Sequence, residues 1–271
     1  SIAVILNITP DHLDRHKTLE EYVDLKGRIS AFQNGGDILV LNKDDGKVMK
    51  QGKLSKAKKV FFSLVDKVDE GACLEDGSIF TCFDGRKQRV LSVGDLNTAM
   101  RFQVENLLSA MVVATIVNTA KADIVNIAMK FEGLDHRVEW VRKVRGVDFI
   151  NDSKGTNMGA LQKSLKVFSR PIILIAGGKD KGGDFRVLKN IFKGKVKHLV
   201  LIGETKNKFR KILNGSFSYE DAESMEDAVE RSMSKATVGD IVLLSPGCSS
   251  FDMFKDFIER GNQFKEIVGR L

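Results

Sequence analysis

Apolar residues fall in short unbroken runs along the chain: "IAVIL" (2–6), "DILVLN" (37–42), "KVFFSL" (59–64), "VDFIN" (147–151), "PIILIA" (171–176), "HLVLIG" (198–203) and "DIVLLS" (240–245). Runs without polar alternation mark strands buried on both faces of a parallel sheet. Between them the apolar spacing becomes helical, at 19–33, 105–120, 158–168, 184–193, 205–213, 225–236 and 250–269. Strand–helix alternation predicts an α/β fold. Residues 70–95 break this rhythm: Asp-Gly pairs at 76–77 and 84–85 predict short antiparallel hairpins. A helix-rich stretch ends near "FEGLDHRVEW" (131–140) and a fresh βαβ series begins. The expected domains are 1–133 and 134–271.

Composition narrows the function classes. At 42% hydrophobic, the 271-residue chain can bury a sizeable core and is not a disordered tail. A net charge of +7 favours anionic partners such as nucleotides or phosphorylated metabolites. The densest basic run, "KQGKLSKAKK" (50–59), has no interleaved aromatics. It reads as a solvated lysine face, and no nucleic-acid partner is expected. No apolar run approaches the ~20 residues of a membrane span. Cys73, Cys82 and Cys248 lack metal-type spacing and read as reduced thiols of a cytoplasmic protein. A monomer is expected. The opening "SIAVILNITP" has neither Met nor a basic leader and reads as a strand inside a domain, so a fragment lacking its N-terminal part is expected.

Two constellations carry candidate chemistry. In "NITPDHLDRH", Thr9 can cap a helix with Pro10 at its first position, which puts His12 in the first turn. A metal there needs anions such as phosphates to offset the dipole; the plainer alternative makes His12 and His16 ordinary surface histidines. The next helix opens with Thr18 and Glu21 in capping-box spacing and carries the stripe Leu19, Tyr22, Val23, Ile29 and Phe32. Lys26 falls inside that stripe. Either it snorkels, or it is a reactive amine able to take up CO2 and become a carboxylate-like metal ligand.

The second constellation is three strand ends, where open α/β sheets bind ligands. Asn151–Asn157 is wholly polar or glycine; "AGGKDKGGDF" (176–185) offers free backbone N–H groups with Lys179 and Lys181; and "SPGCSSFDMFKDF" (245–257) offers Ser249 and Asp252 as helix caps. Singly each is an ordinary loop; together they predict an anion pocket. Neither the dinucleotide fingerprint nor a G-x-x-x-x-G-K-[ST] phosphate loop occurs, so a nucleotide enzyme of this sequence has its main phosphate loop elsewhere.

"NITPDHLDRH", "LKGRI", "GLDHRVEWV", "INDSKGTN", "AGGKDKGGDF" and "LLSPGCSSFDMFKDFIERGNQF" together resemble the Mur ligases, in the family's order and across almost the whole chain. "NDSKGTN" and "LLSPGCSSFDMF" are similar to the D-glutamate-adding branch. The resemblance implies the rear of a central ATPase domain (1–133) followed by a complete Rossmann-like, amino-acid-binding domain (134–271). It implies ATP and Mg2+ as cofactors, UDP-N-acetylmuramoyl-L-alanine and D-glutamate as substrates, and a place in peptidoglycan synthesis. By resemblance, His12 and a carbamylated Lys26 are metal ligands, and Lys154 lies near the transferred phosphate. Asn106, Arg137 and Asp152 contact ATP, Asp152 through ribose. Thr156, Lys181, Ser250 and Phe257 form the D-glutamate pocket. Phe102 and Gln103 stand where the family has a His-Asn pair, and Gly155 and Gly247 where alanine is common, a change read as harmless. The implied reaction is ATP-dependent ligation through an acyl phosphate, with no activity expected of this chain alone. A sibling ligase, such as a folylpolyglutamate synthase, and a non-catalytic Rossmann-type anion-binding module are the competing readings.

Overall fold

The computed structural model describes residues 1–10, 16 and 18–271. The chain divides into two compact α/β units between Glu132 and Gly133. The first unit holds a six-stranded sheet in sequential order: β1 (Ile2–Ile5), β2 (Ile38–Asn42), β3 (Lys58–Ser63), β4 (Gly71–Glu75), β5 (Ser78–Phe83) and β6 (Arg86–Ser92). β1 to β4 are parallel, and β4, β5 and β6 pair antiparallel. At both hairpins Asp and Gly take positive φ (Asp76 47°, Gly77 70°; Asp84 50°, Gly85 71°), the backbone that Asp-Gly favours.

Helices α1 (Leu19–Gly27) and α2 (Gly46–Leu54) serve a core of Val23, Leu39, Leu41 and Val48. Helices α3 (Thr98–Phe102), α4 (Val104–Ile116) and α5 (Lys121–Lys130) cover the other face through Met100, Leu108, Met111 and Ala128. The Thr18 hydroxyl caps α1 by accepting the Glu21 N–H at 3.1 Å. The expected helix 19–33 is shorter: α1 gives way to a 3₁₀ turn at Arg28–Ser30. The tighter turn swings the following side chains off the core line, and Ile29 (57% exposed) and Phe32 (98%) face solvent.

The second unit also has six strands: β7 (Glu139–Val144), β8 (Val147–Asn151), β9 (Ile172–Gly177), β10 (Val196–Ile202), β11 (Tyr219–Asp221) and β12 (Ile241–Leu244). Their order is β11-β10-β9-β12-β8-β7, parallel except for β7. Helices α6 (Met158–Val167), α7 (Leu188–Phe192) and α8 (Lys206–Leu213) pack one face; α9 (Met225–Lys235) and α10 (Phe257–Arg270) pack the other. β8, β9 and β12 are buried along their whole length, which explains their unbroken apolar text. The predicted helix 184–193 opens instead as a 3₁₀ turn at Phe185–Val187. The predicted helix 250–269 starts only at Phe257, capped by Asp256, which accepts the Glu259 N–H at 2.8 Å. Ser249 and Asp252 lie too far before Phe257 to cap it, and Asp252 Oδ2 instead accepts the Glu204 N–H at 2.9 Å.

Candidate functional site

β9, β12 and β8 are neighbours, so the three polar strand ends emerge side by side. Backbone hydrogen bonds lace them together. The Gly247 N–H donates to Gly155 O at 2.8 Å, joining the first loop to the third. Lys179 and Ser249 exchange N–H···O bonds of 2.9 and 3.0 Å, joining the second to the third. Glycine is required at the crossing: a Cβ on Gly178 would sit 2.2 Å from Ser249 O. The glycines at 155 and 247 are likewise not interchangeable with alanine. Gly247 has φ 65°, and a Cβ on Gly155 would lie 2.6 Å from Asp152 Oδ2.

Above this floor the charge is positive. The Lys154 ammonium is held below its ordinary pKa by burial, and then by Arg137 and Lys181. Its Nζ lies 3.7 Å from the centroid of the Phe257 ring. Phe257 also meets His136 edge-on, with centroids 5.9 Å apart. Arg137 and Lys181 add to the positive field at Lys154, a field that favours an anion. Thr156 and Lys181 are half-buried on the first and second loops, and Ser250 is buried on the third.

Asp152 lies buried at the start of the first loop. It is 4% exposed, and its Oδ2 accepts from Ser164 Oγ (2.5 Å) and Ser245 Oγ (2.7 Å). Burial pushes its carboxyl up to about 6 despite these donors. The carboxylate is thereby turned onto two hydroxyls at the base of the first loop.

Arg260 was not singled out in the sequence, yet it joins the loops from below. It is fully buried, and its guanidinium donates to Ser153 Oγ (2.9 Å), Ser153 O (2.8 Å) and Cys248 O (3.2 Å). Burial holds it down at about 10. The available signal was positional: Arg260 shares a helical stripe with Phe264, Ile267 and Val268.

In the first unit, Lys26 is exposed rather than set in an apolar stripe, because the stripe ends where α1 becomes 3₁₀. Its Nζ lies 5.3 Å from the centroid of the Tyr22 ring. Asn106 is exposed, and its amide donates to Gln103 Oε1 at 2.5 Å. His12 and the cap proposed for its helix lie outside the described residues. Among the described residues no three His, Cys, Asp or Glu side chains cluster as a metal site. No described helix is long and apolar enough to cross a membrane.

Comparison with known proteins bears on these features. The family model described as the Mur ligase middle domain matches residues 1–114, and that described as the Mur ligase, glutamate ligase domain matches 136–248. UDP-N-acetylmuramoylalanine--D-glutamate ligase of Thermoanaerobacter sp. (strain X514) is 41% identical over 275 residues, covering 100% of this chain and 60% of its own length. The ligase of the same name from Alkaliphilus oremlandii is 43% identical over 274 residues, with the same coverage. The chain thus spans about 60% of the length of these relatives. Among solved structures, a pseudomurein peptide ligase type C from Methanothermus fervidus is similar in fold, with a TM-score of 0.74 at 18% identity, covering 99% of this chain and 63% of that one. MurF ligase from Thermotoga maritima, solved with ADP, gives a TM-score of 0.69 at 18% identity, covering 100% and 63%. With the two family models spanning most of its length, the chain belongs to the Mur ligases.

Proposed function

We propose that this chain serves an ATP-dependent ligase that adds D-glutamate to UDP-N-acetylmuramoyl-L-alanine. On this reading, 1–133 belongs to a central ATPase domain and 134–271 is the amino-acid-binding domain. The observation that carries it is the lacing of three strand-end loops beneath the positive field of Arg137, Lys154 and Lys181. Such a floor suits two anions, a transferring phosphoryl group and a dicarboxylic amino acid.

Lys154 and Arg137 draw charge toward the phosphoryl group as the substrate carboxylate becomes an acyl phosphate. Lys181, Thr156 and Ser250 receive the carboxylates of D-glutamate, whose amine attacks the acyl carbon and expels phosphate. Phe257 shields the Lys154 ammonium from water and so strengthens its field. Asn106 is proposed to contact adenine. Mg2+ is proposed as the companion of ATP, with His12 and a carbamylated Lys26 as ligands; the exposed Lys26 amine is open to CO2. Soluble, cytoplasmic action as a monomer completes the proposal.

The test is incorporation of labelled amino acids by the full-length protein, with ATP and UDP-N-acetylmuramoyl-L-alanine. Incorporation of D-glutamate alone, with stoichiometric ADP release, is expected. Preference for another amino acid or for a folate acceptor assigns the chain to a sibling ligase. Nucleotide binding without any incorporation leaves only a binding module.

A further inference from the structure

The second strand-end loop carries Lys181 between two fixed points. On one side Lys179 is paired with Ser249. On the other Phe185 is buried against Phe209, with ring centroids 5.0 Å apart. Between them Asp180, Lys181, Gly182 and Gly183 lie outside any strand or helix. Two glycines in four residues leave this backbone little order of its own. The order that places Lys181 must come from side chains.

Asp180 supplies the first part. Its Oδ1 accepts the N–H of Gly182 at 2.9 Å and of Gly183 at 3.2 Å, which folds the chain into a turn around Lys181. Its Oδ2 accepts the Lys208 ammonium at 2.5 Å. Lys208 Nζ also lies 3.4 Å from Gly183 O and 4.2 Å from the centroid of the Phe185 ring. One ammonium thus meets the start of the turn, its end and the aromatic anchor that follows.

Lys208 can hold this turn because α8, which bears it, is itself fixed. The Thr205 N–H donates to Gly178 O at 3.2 Å, and the Glu204 N–H to Asp252 Oδ2 at 2.9 Å. Phe209, next to Lys208, is fully buried. The helix is therefore tied to the second and third loops at its start and to the core along its length.

We infer that Lys208 is a positioning residue for the amino-acid pocket: from α8 it holds Asp180, and with it the glycine turn that carries Lys181. The hold on the turn stands on geometry alone. Its effect on D-glutamate rests on the ligase reading, in which Lys181 receives a carboxylate. Arg137 and Lys154 lie on other segments, so ATP should be little affected.

Two measurements test this. Lys208→Met keeps the apolar stem over Phe185 and removes the ammonium. The ion pair is partly exposed and adds little to global stability, so the variant should fold. In this chain, hydrogen exchange at the Gly182 and Gly183 amides, followed by NMR, should quicken about tenfold while the amides of β9 keep their rates. Unchanged rates at the two glycines would overturn the inference. In the full-length enzyme the same variant should raise KM for D-glutamate about tenfold, with kcat and KM for ATP within about twofold of wild type. Lys208→Arg, which keeps the charge, should restore most of that affinity. An unchanged KM for D-glutamate, or a parallel loss in kcat and in both KM values, would overturn the positioning role. Wild-type enzyme that incorporates no D-glutamate would defeat the ligase reading instead, and the glycine amides then decide the hold on the turn.

Discussion

Replacing Arg260 by Met tests whether the strand-end loops are held from beneath. The guanidinium donates to two acceptors on Ser153 and one on Cys248, all buried. Hydrogen bonds from a charged donor contribute about 1.5–3 kcal/mol each, and losing them orphans two carbonyls. Against this stands the cost of burying the charge. Burial lowers the Arg260 pKa to about 10, which corresponds to about 3 kcal/mol of relief when the charge is removed. The bonds win, and Arg260→Met should destabilise the second unit by about 2–4 kcal/mol. Trp140 is the one tryptophan of the chain and lies in that unit, so its fluorescence follows this unit through urea unfolding. With a slope of about 1–3 kcal/mol per molar urea, the midpoint should fall by about 1–2 M. A midpoint that stays or rises would refute the reasoning, showing the buried cation to be a net burden that apolar packing replaces at no loss.

Further outcomes follow from the same floor. Gly247→Ala forces a left-handed φ of 65° on an L-residue and should cost about 1–2 kcal/mol by the same urea assay. Gly155→Ala should lose more than Gly247→Ala, since its Cβ would meet both Asp152 Oδ2 at 2.6 Å and Ser245 Oγ at 3.1 Å. Asp152 also predicts a pH dependence. Its folded pKa of about 6 exceeds the ordinary 3.8, so between about pH 4 and 6 the folded chain holds a proton that the unfolded chain has released. Stability from this group therefore falls as pH rises through that window, by about 3 kcal/mol in all. Burial lowers the pKa of His136 and His198, which works in the opposite sense, removing stability as pH drops below 6.5. The difference between wild type and Asp152→Asn across pH 4–6 isolates the carboxyl, and a flat difference would remove it from the account.

β8, β9 and β12 were legible because each is buried along its whole length and so written in unbroken apolar text, whereas β11, parallel but partly exposed, was not. β7 was not, since an antiparallel edge strand alternates with solvent and "EWVRKV" carries its charges outward. Nor was α2, which buries only Val48, Gln51 and Gly52. The polar strand mouth at 151–157 was visible as an anomaly, but its direction was not. Asp152 faces inward because Ser245, 93 residues away, supplies a donor that no local pattern reveals. A cation inside an apolar helical stripe shows the same limit from two sides. At Lys26 the stripe is an accident of spacing, because α1 tightens to 3₁₀ and Ile29 turns to solvent. At Arg260 the helix runs on to Arg270, the stripe is real, and the guanidinium is drawn under the loops. What separates them is whether the helix continues for another turn beyond the cation. A charge in a stripe becomes a structural claim only once the geometry of that next turn is known.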